Sequence, residues 1–279
     1  MKKFILLIFY LIILAIFIRA FILSAIRIPT SSMADTLLPG DFIIINAAAY
    51  TFSTPRQIPI LGLSIPSVNI FNTGKPEIND LIVFNFPAIN SGDAAYNNIN
   101  LIKRIVALPG DTMQIMNKKI FINGKKINLP ETVRRSFENI KPTGQEDQGI
   151  FYGGTGWNSD NYGPVRVPAV GDTININTDN IDVWKQLIVY EYEEKIVRKE
   201  GSVITIDDKP VRNYAVTMNH YFVIGDNFNN SRDSRYFGFV NEDMILGKAM
   251  FIYLSINSAE SGSGFFSKIR WERIFKGMQ

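Results

Sequence analysis

Two adjacent serines, Ser31 and Ser32, stand in the stretch AIRIPTSSMADTLLPGD (Ala25–Asp41), directly after a long apolar run. A serine hydroxyl attacks a carbonyl only when a base removes its proton. The chain has one histidine and no cysteine, so His220 is the single imidazole candidate. It opens an apolar strand in MNHYFVIGD with no acidic residue at a telling spacing, and it reads as a structural histidine. Lysine is the other available base, because burial disfavours the ammonium form and lowers its pKa toward neutrality. Lys103, in NLIKRIVAL, is placed for this. Period-two alternation puts it on one strand face with Leu101, Ile105 and Ala107, while Ile102, Arg104, Val106 and Leu108 share the other. A lysine among such neighbours must pair, escape to solvent along its stem, or become neutral. Alternation alone leaves all three open.

Composition removes several other chemistries. Without cysteine there is no disulfide framework, iron–sulfur cluster or thiolate zinc site, and one histidine rules out a multi-histidine metal site. No cofactor or metal is expected. A net charge of +3 over 279 residues, with no basic cluster interleaved with aromatics in the body of the chain, gives no support for nucleic acid as a partner. Apolar residues at 46% and charged residues at 20% suit a folded protein with ample core.

The elements that must position these groups begin with the run from Phe4 to Ile26, broken only by Arg19 and Ser24. It is long enough for a hydrocarbon core about 30 Å thick. It exceeds the apolar region of a cleaved signal peptide, roughly 7–15 residues, and no small-x-small site follows, so residues 1–26 read as an uncleaved transmembrane anchor. Lys2 and Lys3 favour a cytoplasmic N-terminus, with Arg19 and Arg27 as the counterweight. Beyond the anchor come short Ile-, Val- and Phe-rich strands: 41–46, 80–86, 101–108, 112–127, 202–211, 220–226 and 247–256. Asn123-Gly124 is a type I′ hairpin signal. One helix is expected within 178–196, with Asp179 or Asn180 as its cap and Ile181, Trp184, Leu187 and Ile188 at helical spacing. The fold class is mostly β. The proline-rich apolar segment 51–74 and the basic-aromatic tail 258–279 have the composition of membrane-surface segments, and ordinary packing onto the domain is the alternative for both.

The blocks IPTSSMADTLLPGD, LIKRIVALPGD and GDNFNNSRDSRYFGFV, with the weaker DLIVFNFP between the first two, resemble type I signal peptidases in identity and order. These are membrane-anchored Ser/Lys proteases that remove signal peptides from exported proteins. The blocks cover about a fifth of the chain. Carried over residue by residue, the resemblance implies Ser32, not Ser31, as nucleophile and Lys103 as general base. Thr30 stands where the family usually has an oxyanion-holding serine, and Ser231 matches the serine that orients the lysine amine. Asp233 and Arg235 match a structural ion pair, with Gly225, Asp226 and Asn227 as the turn that shapes the site. Ile28, Met33, Leu37 and Ile102 would line the pocket for the small residue before the cut, and Ile26 with Ile28 the pocket two residues earlier. The chain departs from the pattern at Asp35, where the family commonly has proline, at Asn79, where it commonly has glycine, and at Phe228 and Asn229.

The resemblance implies a core in two parts, 27–128 and 216–257, with a β-rich insertion at 129–215. It implies a single-pass protein of the bacterial cytoplasmic membrane, with its N-terminus inside and its catalytic part on the outer face. Its partners would be membrane lipid and signal peptides with small-x-small cleavage sites. Two other classes were weighed. A catalytically inactive, membrane-anchored binding or assembly module would be expected to have lost Ser32, Lys103 or Ser231. A self-cleaving Ser/Lys repressor would need a DNA-binding region, and the chain shows none.

Overall fold

Lys2–Phe21 forms a 20-residue α-helix with no buried residue, long and apolar enough to cross a membrane. Leu23–Ile26, part of the same apolar run in sequence, belong instead to the strand Leu23–Arg27, which pairs antiparallel with Asp41–Asn46. The helix reaches about 30 Å without them, at about 1.5 Å per residue, and a ladder partner rich in isoleucine captures the remainder. The computed structural model describes residues 2–55, 67–86, 99–191, 196–257 and 264–278. Parts of the apolar segment 51–74 and of the tail 258–279 therefore lie outside the described residues.

The core is a seven-stranded sheet in the order Leu23–Arg27, Asp41–Asn46, Ile245–Ser255, Leu81–Phe86, Ile99–Ala107, His220–Ile224, Val240–Asn241. Its pairings are antiparallel. Ile99–Ala107 is central, and its last six residues are all buried. Both faces are covered there, which fits a run that carries apolar residues on both. Leu81–Phe86 runs against it, with Ile82 opposite Lys103 and Leu81 opposite Arg104.

The expected single run 112–127 is three strands, Thr112–Met116, Lys119–Ile122 and Lys125–Lys126. Two tight turns with positive φ at both central residues, Asn117-Lys118 and Asn123-Gly124, separate them. The second is the expected Asn-Gly turn; the first lacks a glycine and gave no signal. Asp207-Asp208 breaks 202–211 in the same way. Thr112–Met116 also pairs with Tyr162–Arg166, so this small sheet runs across residue 128. One apolar cluster joins Val106 and Phe222 of the central strands to Ile120, Val165, Ile188 and Tyr214. The helix is Ile181–Glu191, burying Ile181, Leu187 and Ile188. Asn177 takes the backbone N–H groups of Asp179 and Asn180 on its side chain and starts the turn ahead of the expected caps.

Candidate active site

Ser32 sits at the start of a tight turn that follows the edge strand. Ile28 N–H donates to Asp41 O at 2.8 Å and Gly40 N–H to Ile28 O at 2.9 Å, closing residues 28–41 into a loop. Ala34 N–H to Ser31 O and Leu37 N–H to Met33 O coil the part after Ser32. Met33, Ala34, Thr36 and Leu37 are buried, which presses this turn against the central strands. Lys103 projects from the middle of Ile99–Ala107 and places Nζ 2.6 Å from Ser32 Oγ. Of the two serines, Ser32 is the one that meets the lysine. Ser31 is drawn aside by Asn230 Nδ2, which donates to its hydroxyl at 3.3 Å, and by Asn227 Nδ2, which donates to its carbonyl at 3.0 Å.

Lys103 is 2% exposed. Burial brings its pKa down to about 8, against the opposing pull of Asp233 and Asp226, while Arg235 lowers it further. Of the alternatives left open by the sequence, the lysine stays inside, beside a hydroxyl, with its pKa drawn down by burial to about 8.

The carboxylates near Lys103 are committed elsewhere. Asp226 accepts Arg104 Nε at 2.8 Å and Nη2 at 2.7 Å, while Arg104 Nη1 donates to Asn79 O at 2.7 Å. Asp233 accepts Arg235 Nε and Nη2, both at 2.8 Å, and Gly225 N–H at 3.0 Å. Both pairs are almost fully buried. Such pairs persist because their geometry is bidentate and their remaining hydrogen bonds are satisfied. Arg235 also donates to Phe228 O at 2.8 Å and stacks over the Phe228 ring at 4.1 Å, which accounts for that buried aromatic in the third block.

Gly225 is the contact point between the two halves of the site. A Cβ there would meet Ser32 O at 2.5 Å and Ser231 Cβ at 2.6 Å. Next to it Asn227 N–H donates to Ser32 O at 3.1 Å, tying the turn to the nucleophile. Thr30 Oγ1 lies 3.4 Å from Ser32 Oγ. The Ser231 hydroxyl is buried and makes no hydrogen bond, so the bond to Lys103 that its expected orienting role requires is not formed here. Ile28, Met33, Leu37 and Ile102 fall in one apolar cluster, with Ile26 packed against it. The five residues expected to line the pockets are thus neighbours, with Leu37 fully buried.

Two departures from the family pattern acquire a reason. Asn79 and Asp35 both have φ of 75°. Asparagine tolerates that left-handed conformation better than most residues and so can stand where glycine is common. Proline, fixed near −65°, could not occupy position 35 in this turn. Asp35 also approaches Arg134 at 3.9 Å, an exposed pair. His220 corrects an expectation: it does have an acidic partner, Glu191, at 2.8 Å. Burial alone would push the Glu191 carboxyl up, but hydrogen bonds from His220, Tyr214 and Thr217 outweigh it and hold it at about 2. The pair joins the helix Ile181–Glu191 to the core sheet. Sequence reasoning missed Arg104, Thr36, Asp41, Glu191 and Arg273; only Arg104, beside Lys103 in an apolar run, left a trace.

Comparison with known proteins fits this architecture. The family model described as "Signal peptidase, peptidase S26" matches residues 1–159 and 165–254. A signal peptidase I of Buchnera aphidicola subsp. Baizongia pistaciae is 32% identical over 263 residues, 90% of this chain and 76% of the relative. The signal peptidase I of Pseudomonas aeruginosa is 28% identical over 249 residues, 85% of this chain and 67% of its own. A crystal structure of a signal peptidase I from Enterococcus faecalis is 21% identical, covers 62% of this chain and 96% of that one, and has a TM-score of 0.32. The protein is by class a peptide hydrolase on a mostly β scaffold. It belongs to the signal peptidase family, peptidase S26, as a type I signal peptidase.

Proposed function

We propose that the protein is a membrane-anchored endopeptidase that removes signal peptides from exported preproteins, with Ser32 as nucleophile and Lys103 as general base. The observation that carries this is the 2.6 Å approach of a buried lysine amine, its pKa about 8, to a serine hydroxyl. In acylation, Lys103 Nζ takes the Ser32 proton as Oγ bonds to the scissile carbonyl carbon. The carbonyl π pair moves onto oxygen, where the Ser32 N–H and the Thr30 hydroxyl are the candidate donors. Collapse of the tetrahedral intermediate restores the carbonyl and breaks the C–N bond, and the lysine passes its proton to the departing amine. Water, deprotonated by the same lysine, then attacks the acyl ester, and as the C–Oγ bond breaks the lysine returns that proton to Ser32 Oγ, restoring the serine hydroxyl and the neutral amine. Ser231, matched by the resemblance to the orienting serine, would hold the amine in line only after its buried hydroxyl, which makes no hydrogen bond here, turns to meet Lys103.

Small apolar pockets built from Ile26, Ile28, Met33, Leu37 and Ile102 would select small residues by overlap, with each methyl worth about 1–3 kcal/mol. Leu23–Arg27 ends the core sheet, and its free edge is a ready ladder for an extended peptide. Membrane placement rests on the helix Lys2–Phe21 and on an aromatic stack leading from it. Phe17–Phe21, Phe21–Phe52 and Phe52–Phe71 stack with centroids 4.7, 5.7 and 5.2 Å apart. Val68, Ile70 and Phe71 there, and Phe266, Trp271 and Phe275 in the tail, are exposed. With the N-terminus inside, the catalytic part lies on the outer face of a bacterial inner membrane. Incubating the full chain with a preprotein and mapping the cut by mass tests the function. Cleavage after a small-x-small sequence is expected, and no cleavage, or cleavage unaffected by Ser32→Ala, would refute it.

A further inference from the structure

Thr36 lies in the nucleophile turn but belongs to none of the catalytic groups described above. It is 5% exposed, and both of its polar atoms are engaged with other parts of the fold. Its hydroxyl donates to Asp226 Oδ2 at 2.5 Å. Asp226 is the carboxylate clamped by Arg104, the residue after Lys103 on the central strand. Its carbonyl accepts Arg273 Nη2 at 3.0 Å, from the C-terminal tail. Arg273 in turn grips Asp41, with Nη2 to Oδ2 at 2.6 Å and Nε to Oδ1 at 3.2 Å. Asp41 also accepts Leu38 N–H at 2.8 Å and the Ser255 hydroxyl at 2.6 Å. The turn that carries Ser32 is therefore fixed from two sides through one residue. One arm runs to the strand that carries Lys103, and the other to the tail and the strand Ile245–Ser255.

The geometry points to Thr36 as a positioning residue for the peptidase reaction, its hydroxyl setting the nucleophile turn against the Lys103 strand. A residue needed only to fill space at this buried position would serve equally well as valine, which has nearly the same shape. What valine lacks is the donor to a buried carboxylate. Without it, the turn loses its hydroxyl donor to the buried Asp226 carboxylate, while the contact of the Asp226 N–H with Met33 Sδ at 3.4 Å and the packing of Met33 and Leu37 remain. Slack in that strut falls on the Ser32–Lys103 separation, to which proton transfer is sensitive. Substrate binding draws on the apolar pocket residues and the sheet edge instead, so kcat should fall with little change in KM.

This inference rests on the Ser32–Lys103 assignment, and the experiment separates the two. Full-length wild type, Thr36→Val, Thr36→Ser, Lys103→Ala and Ser32→Ala are purified in the same detergent. Folded fraction is measured by thermal melt, and kcat and KM on a preprotein are expressed per folded molecule. Thr36→Val is expected to lose about tenfold or more in kcat with KM nearly constant. Thr36→Ser, which keeps the hydroxyl, should stay within about threefold of wild type. Equal losses in the serine and valine variants, or a Thr36→Val loss accounted for entirely by unfolded protein, would overturn the positioning role. So would an unchanged kcat in Thr36→Val alongside inactive Ser32→Ala and Lys103→Ala, and that result would leave the dyad standing. Activity retained in Lys103→Ala would instead remove the dyad, and with it the basis for the strut.

Discussion

Gly225→Ala introduces a single methyl at the point where the third block touches the nucleophile. Its Cβ would lie 2.5 Å from Ser32 O and 2.6 Å from Ser231 Cβ, where ordinary contact begins at 3.4 Å. The overlap with Ser32 O is therefore about 0.9 Å (3.4 minus 2.5), and the Ser231 hydroxyl oxygen lies closer still, so Ser32, Ser231 or the turn between them must move by about 1 Å or more. Neither neighbour is the free end of a long side chain: one is the nucleophile's own carbonyl, the other a buried serine. Overpacking of this kind costs about 1–3 kcal/mol of stability, which a domain with about 5–15 kcal/mol in reserve survives. A displacement near 1 Å at reacting atoms costs on the order of 10²-fold in rate. The variant should thus melt a few degrees lower yet cleave a preprotein about a hundredfold more slowly per folded molecule. The assay is initial-rate cleavage followed by gel or mass, with the folded fraction measured in parallel. Wild-type kcat in folded Gly225→Ala would refute the proposal that the close packing of this glycine between Ser32 and Ser231 matters for cleavage.

Other substitutions separate chemistry from support. Lys103→Ala and Ser32→Ala should each abolish preprotein processing while the protein stays folded, as read by circular dichroism. His220→Ala removes one of several hydrogen bonds to the buried Glu191 carboxylate and opens a cavity beside it, so it should lower the melting temperature by the equivalent of about 1–3 kcal/mol while sparing kcat per folded molecule. A collapse of kcat without unfolding would restore a histidine mechanism. Because Glu191 is held at about 2 against its ordinary 4.5, its contribution to stability is present above that ordinary value. It fades as pH falls through 4.5 toward 2, so acid melts should show the loss in wild type and less of it in Glu191→Gln. Asp35→Pro forces φ from 75° to about −65° and should destabilise the nucleophile turn, whereas Asp35→Gly should be tolerated; both are read by thermal melt.

How much was legible in the sequence follows the range of each interaction. Lys103 stands out because a lysine inside an apolar strand is locally anomalous, but its role as base and the choice of Ser32 over Ser31 come from the resemblance of three blocks to type I signal peptidases, not from the local sequence. The strands near 41–46, 80–86, 101–108, 220–226 and 247–256 were legible because Ile, Val and Phe cluster between turn residues. The supports were not, because each is made of two ordinary residues far apart in the chain. Arg104 and Asp226 are 122 positions apart, Thr36 and Asp226 are 190, and Asp41 and Arg273 are 232. Nothing in either local sequence marks the partner. Glu191 is nearer to His220, 29 positions away, but it sits at the end of a helix whose docking only the tertiary fold decides. Asn117-Lys118 escaped notice for a different reason: a type I′ turn without glycine has weak local chemistry, and the ladder on either side imposes it.

The most direct test of the central claim is the pH dependence of kcat/KM for the full-length protein on a peptide with a small-x-small site. The parameter reports ionisations of the free enzyme, and in the proposed mechanism the working form of Lys103 is the neutral one. With its pKa at about 8, roughly a tenth of the enzyme is competent at pH 7 and about nine-tenths at pH 9. The account predicts a rate that climbs about tenfold per unit below pH 8 and levels above it. A profile flat from pH 6 to 9, or one falling as pH rises through 8, would contradict a lysine base at Ser32.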